Sequence, residues 1–211
     1  MNFLFRKSKF ERYDNPALWT DFNAFIRRKR WLFMVKQRPI AIWFTGLPSS
    51  GKTTLSESLN KIILRKGYFT KVFDSDAICQ GLNKDLGDTL EDRKEGIRRI
   101  AEVTKLFLDS GIIVLVSFIT PTEEMREMAK NIIGPDRFFE VYVNCPIEIC
   151  EMRDVKGLFK QYRLGLMKNL PGLDVPFEPP AHPDVEVRTD LWNVKRSTRY
   201  LMDRVLPRIK Y

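Results

Sequence analysis

The chain has 211 residues, 44% hydrophobic and 30% charged, with a net charge of +9. That suffices for one buried core plus a short appendage. Its three scattered cysteines exclude a disulfide-built fold. No apolar run approaches the roughly 18 residues that span a bilayer, and Arg6, Lys7 and Lys9 break any leader-like core. The expected compartment is therefore the reducing cytoplasm.

The positive charge is uneven. Residues 1–38 hold ten Lys/Arg against three acids, so +7 of the +9 belongs to them and +2 to the rest. A basic N-terminal arm (1–38) precedes a nearly neutral domain (39–211), and nucleic-acid binding through the whole fold is disfavoured. Asn15-Pro16 reads as an N-cap and first helical position. Leu18, Trp19, Phe22, Phe25 and Ile26 then recur at helical spacing, and Arg27 to Arg30 suit the helix C-terminus. The preferred reading is an aromatic stripe packed on the domain or on a second subunit. Membrane-surface contact on acidic lipid is the less favoured one.

From Pro39 onward strands and helices alternate. Ile40 to Thr45 is a continuous apolar strand, followed by a Gly-rich turn and a helix from about Thr54 to Lys66. Thr70 to Phe73 is a second strand. Thr89 with Asp92 resembles a capping box opening a helix that runs to Gly111. Ile112 to Ser117 is another buried strand, and Thr120-Pro121 with Glu123 starts a helix ending at Gly134-Pro135. Phe138 to Val143 is a further strand. A short helix, a Gly/Pro-rich stretch (157–184), a strand near Val185 to Val187 and a helix ending before Pro207 complete the chain. Strands this apolar are covered on both faces, which predicts an α/β fold, a mainly parallel P-loop NTPase-type sheet with helices on both sides.

Gly46-Leu47-Pro48-Ser49-Ser50-Gly51-Lys52-Thr53, with Thr54 behind it, matches the phosphate-binding pattern G-x-x-x-x-G-K-[ST] between a strand and a helix. Backbone N–H groups of such a loop close around the phosphates of ATP. Lys52 reaches the β- and γ-phosphates, and the Thr53 hydroxyl ligates Mg²⁺. Asp74-Ser75-Asp76 ends the second strand, where ligands of open α/β sheets gather. Two carboxylates there suit a hydroxyl-orienting base and a Mg²⁺ or water ligand; a turn with a helix cap at Asp76 is the plainer alternative. No guanine-reading N-K-x-D motif follows the strand that runs into Asn144-Cys145-Pro146. The residues therefore point to a small-molecule kinase rather than a GTPase.

Residues 39–205 resemble the adenylylsulfate (APS) kinase family. The matching stretches are Ile42 to Leu47, Gly81 to Gly87, Glu91-Asp92-Arg93, Ile97 to Val103, Ser117 to Pro121, and Arg153 to Phe159. The resemblance implies transfer of the γ-phosphate of Mg-ATP to the 3′-hydroxyl of adenylylsulfate, in sulfate assimilation, by a homodimer. It implies Lys52, Asp74 and Asp76 as catalytic residues and Thr53 with Asp74 on the metal. It also implies Arg153 on ATP, and Arg93, Arg98, Ile119, Thr120, Lys156 and Phe177 around the acceptor. The segment from Arg153 towards Phe177 would be a lid over both nucleotides. Thr120 stands where the family has serine, with helix capping as its simpler role. His182, the only histidine, is read as a loop residue.

The chain departs from the family pattern on the acceptor side. The family's D-G-D-N-I-R reads Asp74-Ser75-Asp76-Ala77-Ile78-Cys79 here, so an acceptor-gripping arginine is Cys79. The phenylalanine that stacks on the acceptor base is Asp88, and the asparagine before I-R-R is Gly96. Losing both an ion-assisted hydrogen bond and a stacking contact costs about a hundredfold or more in affinity unless something compensates. Three readings follow: an APS kinase with substitute contacts, the same 3′-phosphorylation of another nucleotide such as cytidine diphosphoramidate, and a non-catalytic ATP-binding regulator. The intact Lys52, Thr53, Asp74 and Asp76 weigh against the last.

Overall fold

The computed structural model describes residues 36–211. Within them five short strands form one parallel sheet in the order β2-β3-β1-β4-β5. These are β1 (Ala41–Thr45), β2 (Thr70–Asp74), β3 (Ile113–Ser117), β4 (Phe138–Asn144) and β5 (Val185–Arg188). Ile42 lies opposite Leu115 on one side and Phe139 on the other, so β1 is central and buried throughout. The helices are α1 (Lys52–Arg65), α2 (Ser75–Gln80), α3 (Leu90–Asp109), α4 (Glu123–Ile133), α5 (Ile147–Arg153), α6 (Leu158–Arg163) and α7 (Val194–Ile209).

Period-two alternation along each strand sorts the core into two layers. Ile42 and Phe44 pack with Leu55, Leu59 and Ile63 of α1 and with Leu201, Val205 and Ile209 of α7. Ala41 and Trp43 point to the other face, against Ile97 and Ile100 of α3 and Met125 and Ala129 of α4. Each such aliphatic side chain contributes about 1.5–3 kcal/mol by leaving water. A third, smaller cluster of Cys145, Cys150, Phe159 and Leu170 holds the segment beyond β4 together. All three cysteines are free. Among the described residues no helix is long and apolar enough to cross a membrane.

Four local expectations are corrected. Thr120 does not cap α4: Thr122 does, its Oγ1 accepting from Met125 N, while Thr120 is fully buried. The stretch from 157 contains a helix, α6, because Asp154 accepts from the backbone N–H of Phe159 and Lys160 and stands in for a cap. The last helix does not stop before Pro207 but continues to Ile209. One missing donor in a final turn is a small loss, and continuing buries Ile209 completely and lets its carbonyl accept from Arg38 N at 2.8 Å. The cap of α2 is Asp74, which accepts from Asp76 N, rather than Asp76 itself.

The predicted arm helix lies outside the described residues. Gln37 and Arg38, counted with that arm, are bonded into the domain. The Gln37 carboxamide donates to the carbonyls of Phe69 (2.9 Å) and Gly111 (2.7 Å) and accepts from Phe69 N, and its side chain is fully buried. This clamp sits at the amino ends of β2 and β3. The nucleotide-binding motifs all lie at the carboxyl ends.

Candidate active site

The chain leaves the carboxyl end of β1 through Gly46, whose Cβ, if it had one, would meet Val143 O at 2.5 Å. Gly51, at φ +101°, opens α1. Only glycine fits both conditions without strain. Ser50 Oγ is buried inside the loop with no hydrogen-bond partner, which fits a loop that closes on phosphate oxygens. Lys52 is 8% exposed, and its Nζ donates to the carbonyls of Gly46 (3.0 Å) and Leu47 (2.7 Å). Burial pushes the Lys52 amine down to about 7, with a smaller push from Lys156 and an opposing pull from Asp74. Pro48, Ser49, Gly51, Lys52, Thr53 and Thr54 line a cleft of about 390 Å³. Leu47 instead packs against the small cluster of Cys145, Cys150, Phe159 and Leu170.

Thr53 Oγ1 donates to Asp74 Oδ2 at 2.7 Å and lies 3.4 Å from Ser117 Oγ. Three oxygens from α1, β2 and β3 thus converge at the carboxyl edge of the sheet. This donor set fits Mg²⁺, a hard cation that takes one or two protein oxygens and completes its shell with water and substrate phosphates. Among the described residues no cluster of three His, Cys, Asp or Glu forms a metal cage, and such a site needs none. Ser117 was missed in the sequence because it reads simply as the last residue of an apolar strand. Asp76 stands one step further along the cleft, its Oδ2 paired at 2.5 Å with Nζ of Lys156 from the lid segment.

Arg153 does not line the cleft but braces it from behind. It donates to Thr189 O at 2.6 Å and to Thr189 Oγ1 at 3.2 Å, and Thr189 Oγ1 donates to Ser50 O at 2.7 Å. Thr189, just past β5, thus ties Arg153 at the end of α5 to the phosphate loop. Nothing in the sequence around it announces that role.

At the far end the cleft leads into a pocket of about 120 Å³ between α2, the 81–88 loop and α3. Cys79, Asp88, Arg93 and Ile119 line both spaces, and Gly96 lines the pocket. The three departures from the family pattern therefore meet in one place. Arg93 donates to Asn169 O at 2.8 Å and lies 3.7 Å from Asp88 Oδ1, with its Nε buried and unpartnered. Burial first, then the charges of Asp76 and Asp88, raise the Cys79 thiol above its ordinary value and keep it un-ionised.

Three residues expected around the acceptor lie elsewhere. Arg98 sits on the solvent side of α3, bonded to Glu95 at 2.7 and 2.9 Å. Helical spacing brought Arg93 to the cleft and turned Arg98 away from it. Thr120 is in the core, where its Oγ1 accepts from Trp43 Nε1 at 2.8 Å, and its carbonyl accepts from Thr45 Oγ1 and Arg126. Phe177 stacks on Tyr142, with ring centroids 6.2 Å apart, and does not line the cleft.

Comparison with known proteins matches this arrangement to one family. The family model described as adenylylsulphate kinase matches residues 38–188. An adenylyl-sulfate kinase of Bacteroides fragilis is 42% identical over 196 residues, covering 93% of this chain and 97% of the relative. That of Clostridium acetobutylicum is 48% identical over 164 residues, covering 78% and 82%. Among solved structures, the Mycobacterium tuberculosis APS kinase in complex with AMPPNP and APS superposes with a TM-score of 0.76. It is 36% identical and covers 80% of this chain and 98% of that one. A gluconokinase from Sinorhizobium meliloti, 16% identical at a TM-score of 0.57, shares the fold alone. By motif, fold and similarity along most of its length, the chain belongs to the adenylylsulphate kinase family.

Proposed function

We propose that the protein transfers the γ-phosphate of Mg-ATP to the 3′-hydroxyl of adenylylsulfate. The observation that carries the reading is the continuity of one cleft. The phosphate loop and Thr53–Asp74 stand at one end, with Asp76 beyond them and Arg93 where the cleft meets a second, smaller pocket. Phosphoryl transfer needs little covalent chemistry from the protein; positioning and charge neutralisation carry it.

Backbone N–H groups of the loop after Pro48 hold the triphosphate, and Lys52 leaves the Gly46 and Leu47 carbonyls to meet its β- and γ-oxygens. Thr53 and Asp74 would hold Mg²⁺, which when bound neutralises charge on the β- and γ-phosphates. Asp76 orients the acceptor hydroxyl, and Lys156 exchanges its bond to Asp76 for the phosphates. Arg153 anchors the lid that excludes water. Arg93 faces the acceptor's acidic group. A homodimer belongs to the same reading.

One feature favours a second acceptor. The Asp88 carboxylate stands beside Arg93; it opposes a terminal sulfate but can accept a hydrogen bond from the terminal NH2 of a nucleotide such as cytidine diphosphoramidate. Coupled ADP release with purified protein, Mg-ATP and APS, cytidine diphosphoramidate, CDP and 3′-dephospho-CoA separates the two. Fast turnover at micromolar APS is expected. A better acceptor than APS would replace this assignment, and ATP binding without turnover of any acceptor would overturn it.

A further inference from the structure

Asn83 occupies a position that the proposed mechanism does not use. It lies on the loop between α2 and α3 and is only 5% exposed, yet its Oδ1 has no hydrogen-bond partner. A buried amide oxygen left unpaired costs about 1–3 kcal/mol, so such an atom asks for a partner. The carboxamide lines the 120 Å³ pocket beyond Arg93, whose other walls include Leu86, Ile97 and Phe118. Asp88, Asp92 and Arg93 also line the pocket, and Asn83 adds a neutral amide with an unpaired acceptor.

The loop presents Asn83 rigidly. Asn83 N donates to Ile78 O at 3.0 Å and its carbonyl accepts from Leu86 N at 3.0 Å. Arg99 of α3 staples the same loop, donating to Leu82 O at 3.1 Å and gripping both oxygens of Asp85 at 2.7 and 2.8 Å. Gly96 gives the carboxamide its room. A Cβ there would meet Asn83 Nδ2 at 2.8 Å, closer than a side chain tolerates, so any other residue displaces the amide. A carboxamide in the pocket lining beside Leu86, Ile97 and Phe118 has the chemistry that recognises adenine. Its oxygen accepts from the N6 amine while its nitrogen donates to N7.

We propose that Asn83 is a specificity-determining residue that reads the adenine base of the acceptor nucleotide, in a pocket kept open by Gly96. This rests on the reading that the acceptor is an adenylyl compound phosphorylated in this cleft. The test compares kcat/KM for APS with that for its inosine counterpart, in which a carbonyl replaces the N6 amine, in the intact chain and in Asn83→Leu. The intact protein should prefer APS by about ten- to a hundredfold, the range that one bidentate amide–base pair supports. Asn83→Leu should bring the ratio to within about twofold of unity, with KM for ATP unchanged. Gly96→Ala, which keeps the amide but displaces it, should raise KM for APS and lower the ratio while leaving KM for ATP alone; an unchanged ratio there would count against the proposal. Equal use of both bases by the intact protein, or a preference that survives in Asn83→Leu, would overturn this inference and leave the kinase reading standing. Failure of the intact protein to phosphorylate either compound would overturn both.

Discussion

Replacing Thr120 by valine separates a structural role from a catalytic one. Thr120 and Trp43 are both fully buried, and the indole N–H donates to the threonine hydroxyl at 2.8 Å. Valine keeps the volume but leaves the indole N–H unpaired in the core, a cost of about 1–3 kcal/mol. For a domain of this size each kcal/mol lowers Tm by about 2–4 °C, so the expected drop is about 2–12 °C. Thr120→Ser retains the hydroxyl and should lose less. Trp43→Phe removes the donor; in a double-mutant cycle with Thr120→Val the pair should show a coupling of about 1 kcal/mol or more. Turnover should fall no more than a few fold, because the side chain faces Trp43 and the backbone of residues 118–121 is also held by Thr45 and Arg126. Calorimetric Tm and steady-state kinetics on the same preparations check this. An unchanged Tm with turnover lost a hundredfold would refute the structural assignment and return Thr120 to the acceptor site.

Lys52→Met should reduce kcat by at least about a hundredfold with the fold intact, as removal of a group that neutralises transition-state charge does; near-normal turnover would remove Lys52 from the mechanism. Asp88→Asn should lower KM for APS about two- to fivefold without changing KM for ATP, since Asp88 is exposed and its field is screened; a raised KM would contradict charge opposition there. Glu140 is pushed up to about 7 by burial, against the pull of Arg126 at 3.4 Å. A carboxyl protonated more readily in the folded than in the unfolded chain favours folding fully below pH 4.5, and that contribution is lost as pH rises through 7. Glu140→Gln should therefore gain stability relative to the intact protein between pH 5 and 8, by on the order of 1–2 kcal/mol once partial solvent contact is allowed for. Denaturant titrations at several pH values read this, and a difference independent of pH would refute it.

The parts of the molecule that repeat a local rule were legible in the sequence. Buried strands announced themselves as apolar runs, the phosphate loop by its glycines and Lys52, and the start of α3 by Thr89, whose Oγ1 accepts from Asp92 N at 3.1 Å. Features that depend on contacts between distant segments were not legible. Thr189 bracing Ser50 across 139 residues, and Ser117 meeting Thr53 across 64, need the strand order before they mean anything. Arg93 and Arg98 looked alike as basic residues of one helix, and only the packing of α3 on the sheet separates the cleft side from the solvent side. The α6 cap escaped notice because Asp154 reaches forward five residues instead of sitting at the usual cap position. Asn83 lies within the Gly81 to Gly87 stretch that resembles the family, but its burial and unpaired oxygen belong to the folded loop.

The most direct test of the proposed activity is the identity of the product formed from Mg-ATP and adenylylsulfate by the purified chain, read by ³¹P NMR and mass spectrometry. The cleft predicts one new phosphomonoester on the ribose 3′-hydroxyl, with the phosphosulfate intact and one ADP released per ester formed. ADP release without a new ester, or a phosphate at any other position, would contradict it.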